Sequence, residues 1–439
     1  AIADSGAVDV STGAALVLSL NETIGSLSGA AGSFVSLGGN TLTTGGNNAS
    51  TLFSGVISGT GGLTKEGTGN FTLFATPIDP VTFLGNPNTY SGLTLINAGT
   101  LSVSGQDAIA NTGAVQISAA GTLALLDGER IGSLTGVAGS QVNLGSFSLL
   151  TGDASNTTFA GVVSGAGGLA KLGSGEFTLS GANTYTGSTF VSEGKLILAG
   201  GSALSDLTQV TLGSGTTMQL TASETIGSLS GIGFTAPGST PPLPPATPEI
   251  CAALPAYPGC VGPPPPLPPA SPGTIASIVD LGIYTLTTGG AVPAILPLET
   301  PDCNPLPPFE CDFTAFAGTI IGTGGLTKVG TGGFILSGTN TYTGLTQVNA
   351  GTLTLAGGTA IVDTGAITVA SSALSALNAS ETIGNLTGSG GSFVNLGLNT
   401  LTTGDGSSTI FAGTMSGAGG LTKQGLGIFT LSGANTYTG

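Results

Sequence analysis

Four lysines recur in one sequence context and are the first candidates for chemistry. Each ends a Gly-Gly-Leu-(Thr or Ala)-Lys segment, at Lys65, Lys171, Lys328 and Lys423. A row of ammonium groups would bind an anionic glycan, whereas a turn lysine would donate hydrogen bonds to local carbonyls or to a nearby carboxylate. Because the lysine is present in every copy, we favour the second role. The same reasoning assigns a structural role to four repeated glutamates, Glu22, Glu129, Glu224 and Glu381.

The four cysteines are the next candidates, and all lie in two proline-rich stretches. They are Cys251, Cys260, Cys303 and Cys311. Zinc sites usually have closer ligand spacings and often histidine, which this chain lacks. Two disulfides in an exported protein fit the pattern better. Four cysteines allow three pairings, and we favour the local pairs Cys251–Cys260 and Cys303–Cys311.

The role of the cysteine-containing loops stays open between two interpretations. Stapled loops would present a recognition surface on an otherwise plain scaffold. Alternatively, they are tolerated insertions stiffened by polyproline segments. Three carboxylates beside the cysteines, Asp302, Glu310 and Asp312, offer oxygen ligands to calcium as a weaker alternative to the disulfides. We therefore predict no metal site and no bound cofactor.

The chain lacks the residue types and sequence motifs that most enzymes use for catalysis. The chain has no histidine and no tryptophan, which removes the commonest general base and the best sugar-stacking side chain. It has no Gly-x-Ser-x-Gly segment and no phosphate-binding loop. Of the six basic residues, only Arg130 and Lys195 lie outside the lysine motif, and no acidic cluster accompanies either of them. We predict no catalytic residues, and a polysaccharide-active β-helix enzyme is the alternative.

Charge and hydropathy exclude two further classes of partner. The formal net charge is −16, with six basic residues. Nucleic acid needs a basic footprint, and an anionic membrane surface would repel this chain. The apolar residues come in short alternating runs, so we expect no membrane insertion by this segment.

The lysine motif belongs to a repeat that organises the chain. An Asn-Thr-Tyr motif follows each copy, and a Glu-(Thr or Arg)-Ile-Gly motif precedes it. Repetition of two motifs in one order indicates one unit copied four times. The repeats span about 1–107, 108–202, 203–358 and 359–439 of one continuous segment, with loop insertions at about 76–87, 237–272 and 292–310.

Each repeat consists of short alternating runs separated by glycine, asparagine or aspartate turns. Alternation sends one face inward and the other to solvent, as in β-strands. The last lysines, Lys328 and Lys423, stand 95 positions apart. Grouping the runs in threes gives about four coils per repeat and roughly 24 residues per coil, in the range of solenoid repeats. The prediction is an all-β parallel β-helix, with Phe53, Phe159, Phe316 and Phe411 in one interior class and Phe71, Phe177, Phe334 and Phe429 in another.

These motifs resemble a known family. The fullest copy runs from Gly167 to Leu198, through Gly-Gly-Leu-Ala-Lys and Asn-Thr-Tyr-Thr-Gly to Lys-Leu-Ile-Leu. It is similar to the autotransporter-associated β-strand repeat of bacterial type V autotransporter passenger regions. The resemblance implies a right-handed parallel β-helix, exported to the extracellular space or cell surface of a Gram-negative bacterium.

Together these features predict a non-enzymatic structural or adhesive rod, a surface-displayed or fibre-forming stalk that presents loops. A third possibility, ice binding through Thr-x-Thr rows, is weakened because such motifs occur once per repeat. Neither end of the sequence reads as a capping coil, so we expect further coils stacked end to end, in the same polypeptide or in a neighbour. Its other expected partners are glycans or proteins on host or neighbouring-cell surfaces.

Overall fold

The computed structural model describes residues 2–75, 87–231, 275–289 and 313–439. These ranges contain β-strands and turns and no helix, which confirms the all-β prediction. The predicted insertions and all four cysteines lie outside the described residues, apart from Pro87 at the end of the first insertion. The chain divides into two compact units, the first ending at Ser188 and the second beginning at Thr189.

The first unit contains strands β1 to β20. Their bounds are Ala7–Val10, Ala15–Val17, Glu22–Thr23, Ser26–Gly29, Phe34–Gly38, Leu42–Thr44, Thr51–Phe53, Val56–Gly59, Leu63–Lys65, Asn70–Phe74, Thr94–Ser104, Ala114–Leu125, Glu129–Arg130, Ser133–Gly136, Gln141–Asn143, Leu149–Thr151, Thr157–Phe159, Val162–Ser164, Leu169–Lys171 and Glu176–Leu179.

The second unit contains strands β21 to β44. Their bounds are Thr189–Val191, Lys195–Leu198, Gln209–Leu212, Thr217–Leu220, Glu224–Thr225, Ser228–Gly231, Ile278–Asp280, Leu286–Thr288, Phe313–Phe316, Thr319–Ile321, Leu326–Lys328, Gly333–Leu336, Thr346–Val348, Thr352–Leu355, Ala366–Val369, Leu374–Leu377, Glu381–Ile383, Asn385–Gly388, Phe393–Asn395, Leu401–Thr403, Thr409–Phe411, Thr414–Ser416, Leu421–Lys423 and Phe429–Leu431.

Each unit is a parallel β-helix with three faces per coil. In the first unit, β1 pairs with β4, β2 with β5 and β3 with β6, all in parallel. Strands that are adjacent in sequence therefore lie on different faces, and each strand pairs with its counterpart one coil later. In the second unit, β26 pairs with β29, β27 with β30 and β28 with β31 in the same way.

A coil is shorter than the sequence suggested. Contacts between stacked coils join residues 20 positions apart, as between Asn70 and Ser50 or Glu176 and Asn156. The expected value of roughly 24 was wrong because some sides of the coil contain no regular strand. At Asn88 to Tyr90, for example, the chain occupies one face without forming a strand, and the Thr89 N–H donates to the Ile57 carbonyl of the coil before.

The basic repeat of 95 residues is not a whole number of 20-residue coils. The same motif therefore lies on a different face of the β-helix in the next repeat. Repeat two places β15, the counterpart of β5, on the face that carries β7, β10, β11 and β12. The second unit shows the same shift. There β39, the counterpart of β27, lies on the face of β26, β29, β32, β34 and β36.

The interior is built from aliphatic side chains with the predicted phenylalanines at intervals. Phe53, Phe159, Phe316 and Phe411 are fully buried. Phe53 packs where a Cβ on Gly29 or Gly55 would approach its ring to 2.7 Å, so these glycines make room for the aromatic ring. The second predicted class is also interior. Phe71, Phe177 and Phe334 are buried, and Phe429 is partly exposed.

Candidate functional site

The repeated lysines lie inside the coil rather than on its surface. Lys65 and Lys328 are fully buried and Lys171 is 1% exposed, whereas Lys423 is exposed. Each buried ammonium group donates to carbonyl oxygens of the turn that follows it, and those of Lys65 and Lys328 also donate to one carbonyl of the next coil. Lys65 Nζ reaches those of Glu66, Gly67 and Ala98 at 2.6, 2.8 and 3.1 Å, and Lys328 Nζ reaches those of Val329, Gly330 and Ala350 at 2.6, 3.0 and 3.3 Å.

The predicted structural role of these lysines is therefore confirmed. An ammonium group has three N–H donors, and Lys65 uses all of them on backbone oxygens. Burial lowers the pKa of Lys65, and the nearby Glu66 carboxylate partly opposes this shift. A buried, saturated cation is not available to an anionic ligand, so the lysines do not form a glycan-binding row.

The repeated glutamates join one coil to the coil before it. Glu129, Glu224 and Glu381 are at most 3% exposed, and Glu22 is partly exposed. In each, Oε1 accepts a hydrogen bond from a backbone N–H about one coil earlier in the chain. The donors are Ile2 to Glu22 at 2.6 Å, Ile109 to Glu129 at 2.9 Å, Leu204 to Glu224 at 3.0 Å and Ile361 to Glu381 at 2.7 Å.

Burial raises the pKa of Glu129, Glu224 and Glu381, and the backbone N–H donors oppose this shift only in part. Neighbouring aspartates raise these pKa values further, as Asp363 does for Glu381. At Glu381 the second oxygen, Oε2, is buried and has no hydrogen-bond partner among the described residues. The ionised form of Glu381 is thus poorly compensated in the folded state.

The protein is expected to become less stable as the pH rises from 5 to 8. A glutamate whose pKa is higher in the folded than in the unfolded state carries no cost below its unfolded value near 4.5. The cost appears as the pH rises toward the folded pKa. Glu381→Gln should remove this contribution, so its stability relative to the parent protein should increase with pH in urea unfolding. If the difference in unfolding free energy between Glu381→Gln and the parent protein were the same at pH 5 and pH 8, the raised pKa of Glu381 would be contradicted.

An asparagine in the Asn-Thr-Tyr motif links three coils. Asn340 Oδ1 accepts from the Ile320 N–H at 2.7 Å, while its Nδ2 donates to the Ala360 carbonyl at 2.9 Å. Asn88 makes the equivalent bonds, at 2.7 Å and 2.8 Å, in the first unit. Sequence reasoning gave this asparagine no role. Its presence beside an invariably repeated tyrosine was the available signal.

Two sets of buried threonines differ in their hydrogen bonding. Thr346 Oγ1 lies 2.6 Å from the Tyr342 hydroxyl, and Thr94 Oγ1 lies 2.8 Å from that of Tyr90. The second group pairs with the repeated lysines in the next coil, and its hydroxyls have no partner among the described residues. These are Thr44, Thr151, Thr288 and Thr403, each at most 1% exposed.

Thr288→Val is expected to stabilise the protein by about 1 kcal/mol, because it removes a buried hydroxyl that makes no hydrogen bond and keeps the side-chain shape. Thr346→Val is the matched control. It should destabilise the protein by about 1 kcal/mol, because it leaves the Tyr342 hydroxyl without its partner. Urea unfolding of both variants checks the signs. Destabilisation by both would mean that the Thr288 hydroxyl has an unrecognised partner.

The described residues contain no group of three or more histidine, cysteine, aspartate or glutamate side chains that could hold a metal ion. The predicted disulfide cysteines Cys251, Cys260, Cys303 and Cys311 lie outside the described residues, as do Asp302, Glu310 and Asp312. Their pairing stays a prediction. In the described ranges, nothing helical has the length and apolar character needed to cross a membrane.

Each unit also has a column of hydroxyl and amide side chains on the outward side of its strands, interrupted in the first unit by Leu95. We call these the threonine columns. The residues occupy matching positions in successive coils. The first column is Thr23, Thr43, Thr64, Leu95, Gln116 and Thr135, and the second is Thr225, Thr287, Thr327, Gln347, Thr368 and Thr387. Within the second column, the Thr368 and Thr387 hydroxyls lie 2.8 Å apart.

Sequence reasoning missed these columns because their members come from different motifs. Thr225 belongs to Glu-Thr-Ile, Thr327 to Leu-Thr-Lys and Thr368 to Ile-Thr-Val. The one-face offset between repeats, together with the 20-residue coil, brings such motifs into register. A search for a 20-residue period would have found the steps that contain no insertion, such as Thr23 to Thr43 and Thr327 to Gln347.

Comparisons with known proteins agree with the repeat architecture. The family model described as passenger-associated-transport-repeat matches residues 63–103, 169–198, 326–355 and 421–439. The chain is also similar to the "Adhesin BmaC autotransporter" of Brucella suis biovar 1 (strain 1330). The two are 33% identical over 455 residues, covering 88% of this chain and 13% of that protein. The chain therefore spans only a small part of the length of this relative.

Proposed function

The chain carries the passenger-associated-transport repeats of autotransporter passenger regions, and on this premise we propose that it is an adhesive passenger segment without enzymatic activity. It would be displayed in the extracellular space or on the cell surface of a Gram-negative bacterium. In this proposal the β-helix is a stalk or fibre segment that presents loops. The observation that carries the proposal is the similarity of 88% of the chain to a protein named as an autotransporter adhesin.

The positions of the repeated charged residues support this proposal. The buried lysines and glutamates hydrogen-bond backbone groups within and between coils, so they stabilise the scaffold. Among the described residues, those of the threonine columns are left for recognition, and in this proposal the insertions are the loops that the stalk presents. Such a scaffold suits a binding role, because its outward residues can contact a partner without disturbing the core.

Adhesion can be tested by displaying the whole chain on a non-adherent bacterium, fused to a heterologous outer-membrane anchor. Binding to cultured epithelial cells and to bacteria of the same strain should exceed that of a display control carrying an unrelated β-helix of similar length. Adhesion no greater than the control would contradict the proposal. Release of reducing sugar ends from polysaccharide by the purified chain would favour the enzymatic alternative instead.

Non-reducing peptide mapping of the exported protein is expected to yield the pairs Cys251–Cys260 and Cys303–Cys311. Closing such short loops should stabilise each by somewhat less than about 3 kcal/mol in the chain-entropy picture. Crossed pairs would mean that the two insertions fold together. Four free thiols would be incompatible with maturation in an oxidising compartment.

The partners follow from the same proposal. We propose a glycan or protein on host or neighbouring-cell surfaces as the adhesion target. Stacking of further coils end to end stays a prediction. Electron microscopy of native material tests it, since the rods would have to be much longer than the coils of one chain stacked at about 4.8 Å per coil.

A further inference from the structure

A shallow depression lies at the end of the first threonine column. It has a volume of 410 Å³. One wall is formed by Gln116, Thr135 and Thr158, and the other by Val137, Ala138 and Ala160. Gln116 pairs with Thr135 in the next coil, and Thr158 lies one coil further, because Gly136 pairs with Phe159. The depression therefore extends across three coils, parallel to the column.

The lining combines uncharged hydrogen-bonding groups with exposed apolar surface. An amide and two hydroxyls face the depression on one side, and Gln116 and Thr158 are exposed. On the other side Val137 is 54% exposed, although most valines of this chain that lie in strands are buried. None of the lining residues is charged. Such a surface fits a ligand with both hydroxyl groups and apolar C–H faces.

Charge further restricts the ligand. The chain has a net charge of −16, and three of its six cations are buried lysines. A polyanion would find no cation in the depression and would be repelled by the rest of the surface. Sugar rings without charge have the required combination of hydroxyls and apolar faces. Moreover, the coils are stacked about 4.8 Å apart, so a chain molecule lying along the column meets an equivalent position in each coil.

From these features we propose that the first threonine column binds a neutral polysaccharide aligned with the coil axis, with the depression at Gln116, Thr135 and Thr158 as one sugar subsite. The inference rests on the proposed adhesive function and names the chemical class of its target. No aromatic side chain lines the depression. Affinity per sugar is therefore low, and binding depends on several sugars contacting successive coils.

The test is ligand-observed NMR with the whole chain and three neutral hexasaccharides, namely cellohexaose, maltohexaose and N-acetylchitohexaose. At least one should bind, and its trisaccharide should bind more weakly. The double variant Gln116→Ala, Thr158→Ala should lower the affinity about tenfold or more, since two hydrogen-bonding groups are lost. Val137→Glu should also weaken binding, because it places a charge on the apolar wall.

The matched control is Thr122→Ala, Gln141→Ala. These residues have the same chemical types and pair with each other on another face of the same unit. Their replacement should leave the affinity unchanged, and circular dichroism should show that all variants keep the β-helix. The inference is overturned if no neutral hexasaccharide binds, if both double variants weaken binding equally, or if a polyanion such as heparin binds better.

Ice is the other surface that a neutral hydroxyl column would fit. If the parent protein showed thermal hysteresis and the Gln116→Ala, Thr158→Ala variant lost it, the glycan inference would also be overturned. The inference and the adhesive proposal fail in different ways. Adhesion of the displayed chain without hexasaccharide binding would refute only the glycan inference. A displayed chain that does not adhere would refute the adhesive function itself.

Discussion

Replacing Lys328 by methionine is expected to destabilise the second unit by about 3–5 kcal/mol. The buried ammonium group donates to the carbonyls of Val329, Gly330 and Ala350, and methionine offers no donor to any of them. The substitution removes the ammonium donor but leaves the backbone carbonyl acceptors in place. The variant therefore leaves several buried acceptors unsatisfied, and this cost exceeds the benefit of removing a buried charge.

The same substitution at Lys423 is the matched control. Lys423 occupies the equivalent position and also donates to its own turn, at the carbonyls of Gln424 and Gly425, but it is exposed. Water can replace the lost donor there, so Lys423→Met should cost less than about 1 kcal/mol. Urea unfolding followed by circular dichroism gives the difference, and hydrogen exchange locates it in the chain. Equal effects at both positions would contradict the proposed cause.

Gly324→Ala is expected to destabilise the second unit by about 3 kcal/mol or more, because stacked coils come too close at this position for a side chain. A Cβ on Gly324 would lie 1.8 Å from the Tyr284 carbonyl oxygen of the preceding coil. Backbone on both sides would have to move, and with it the hydrogen bonds of the ladder. The first glycine of the motif has equally close contacts in the other repeats, at Gly61, Gly167 and Gly419.

Gly406→Ala is the control for this prediction. A Cβ on Gly406 would have no neighbour within 4 Å, and its backbone is not in the left-handed region. The substitution should change the free energy of unfolding by less than about 1 kcal/mol in either direction. Comparing Gly324→Ala with Gly406→Ala separates the effect of the close approach of two coils from the effect of losing glycine flexibility. A small effect at Gly324 would mean that neighbouring coils can separate without cost.

Part of the site could be predicted from residue types and repetition. A lysine present in every copy is more plausibly required by the coil than by a ligand, and the buried ammonium groups of Lys65 and Lys328 confirm this. The interior position of Phe53 and Phe71 likewise follows from alternation, since every second residue of a strand faces inward. The cysteines show the limit of such reasoning, because local spacing favours a pairing without establishing it.

The sequence by itself determined the fold class, the repeat and the structural role of its repeated charges, because alternation and repetition are properties of the chain alone. Tertiary structure decided how the repeats are stacked. The 20-residue coil brings Thr225 into line with Thr287 in the next coil, and the one-face offset between repeats adds Thr368 of the following repeat to the same column. That alignment joins residues of unrelated motifs into one surface, and it depends on register between coils, which no single motif specifies.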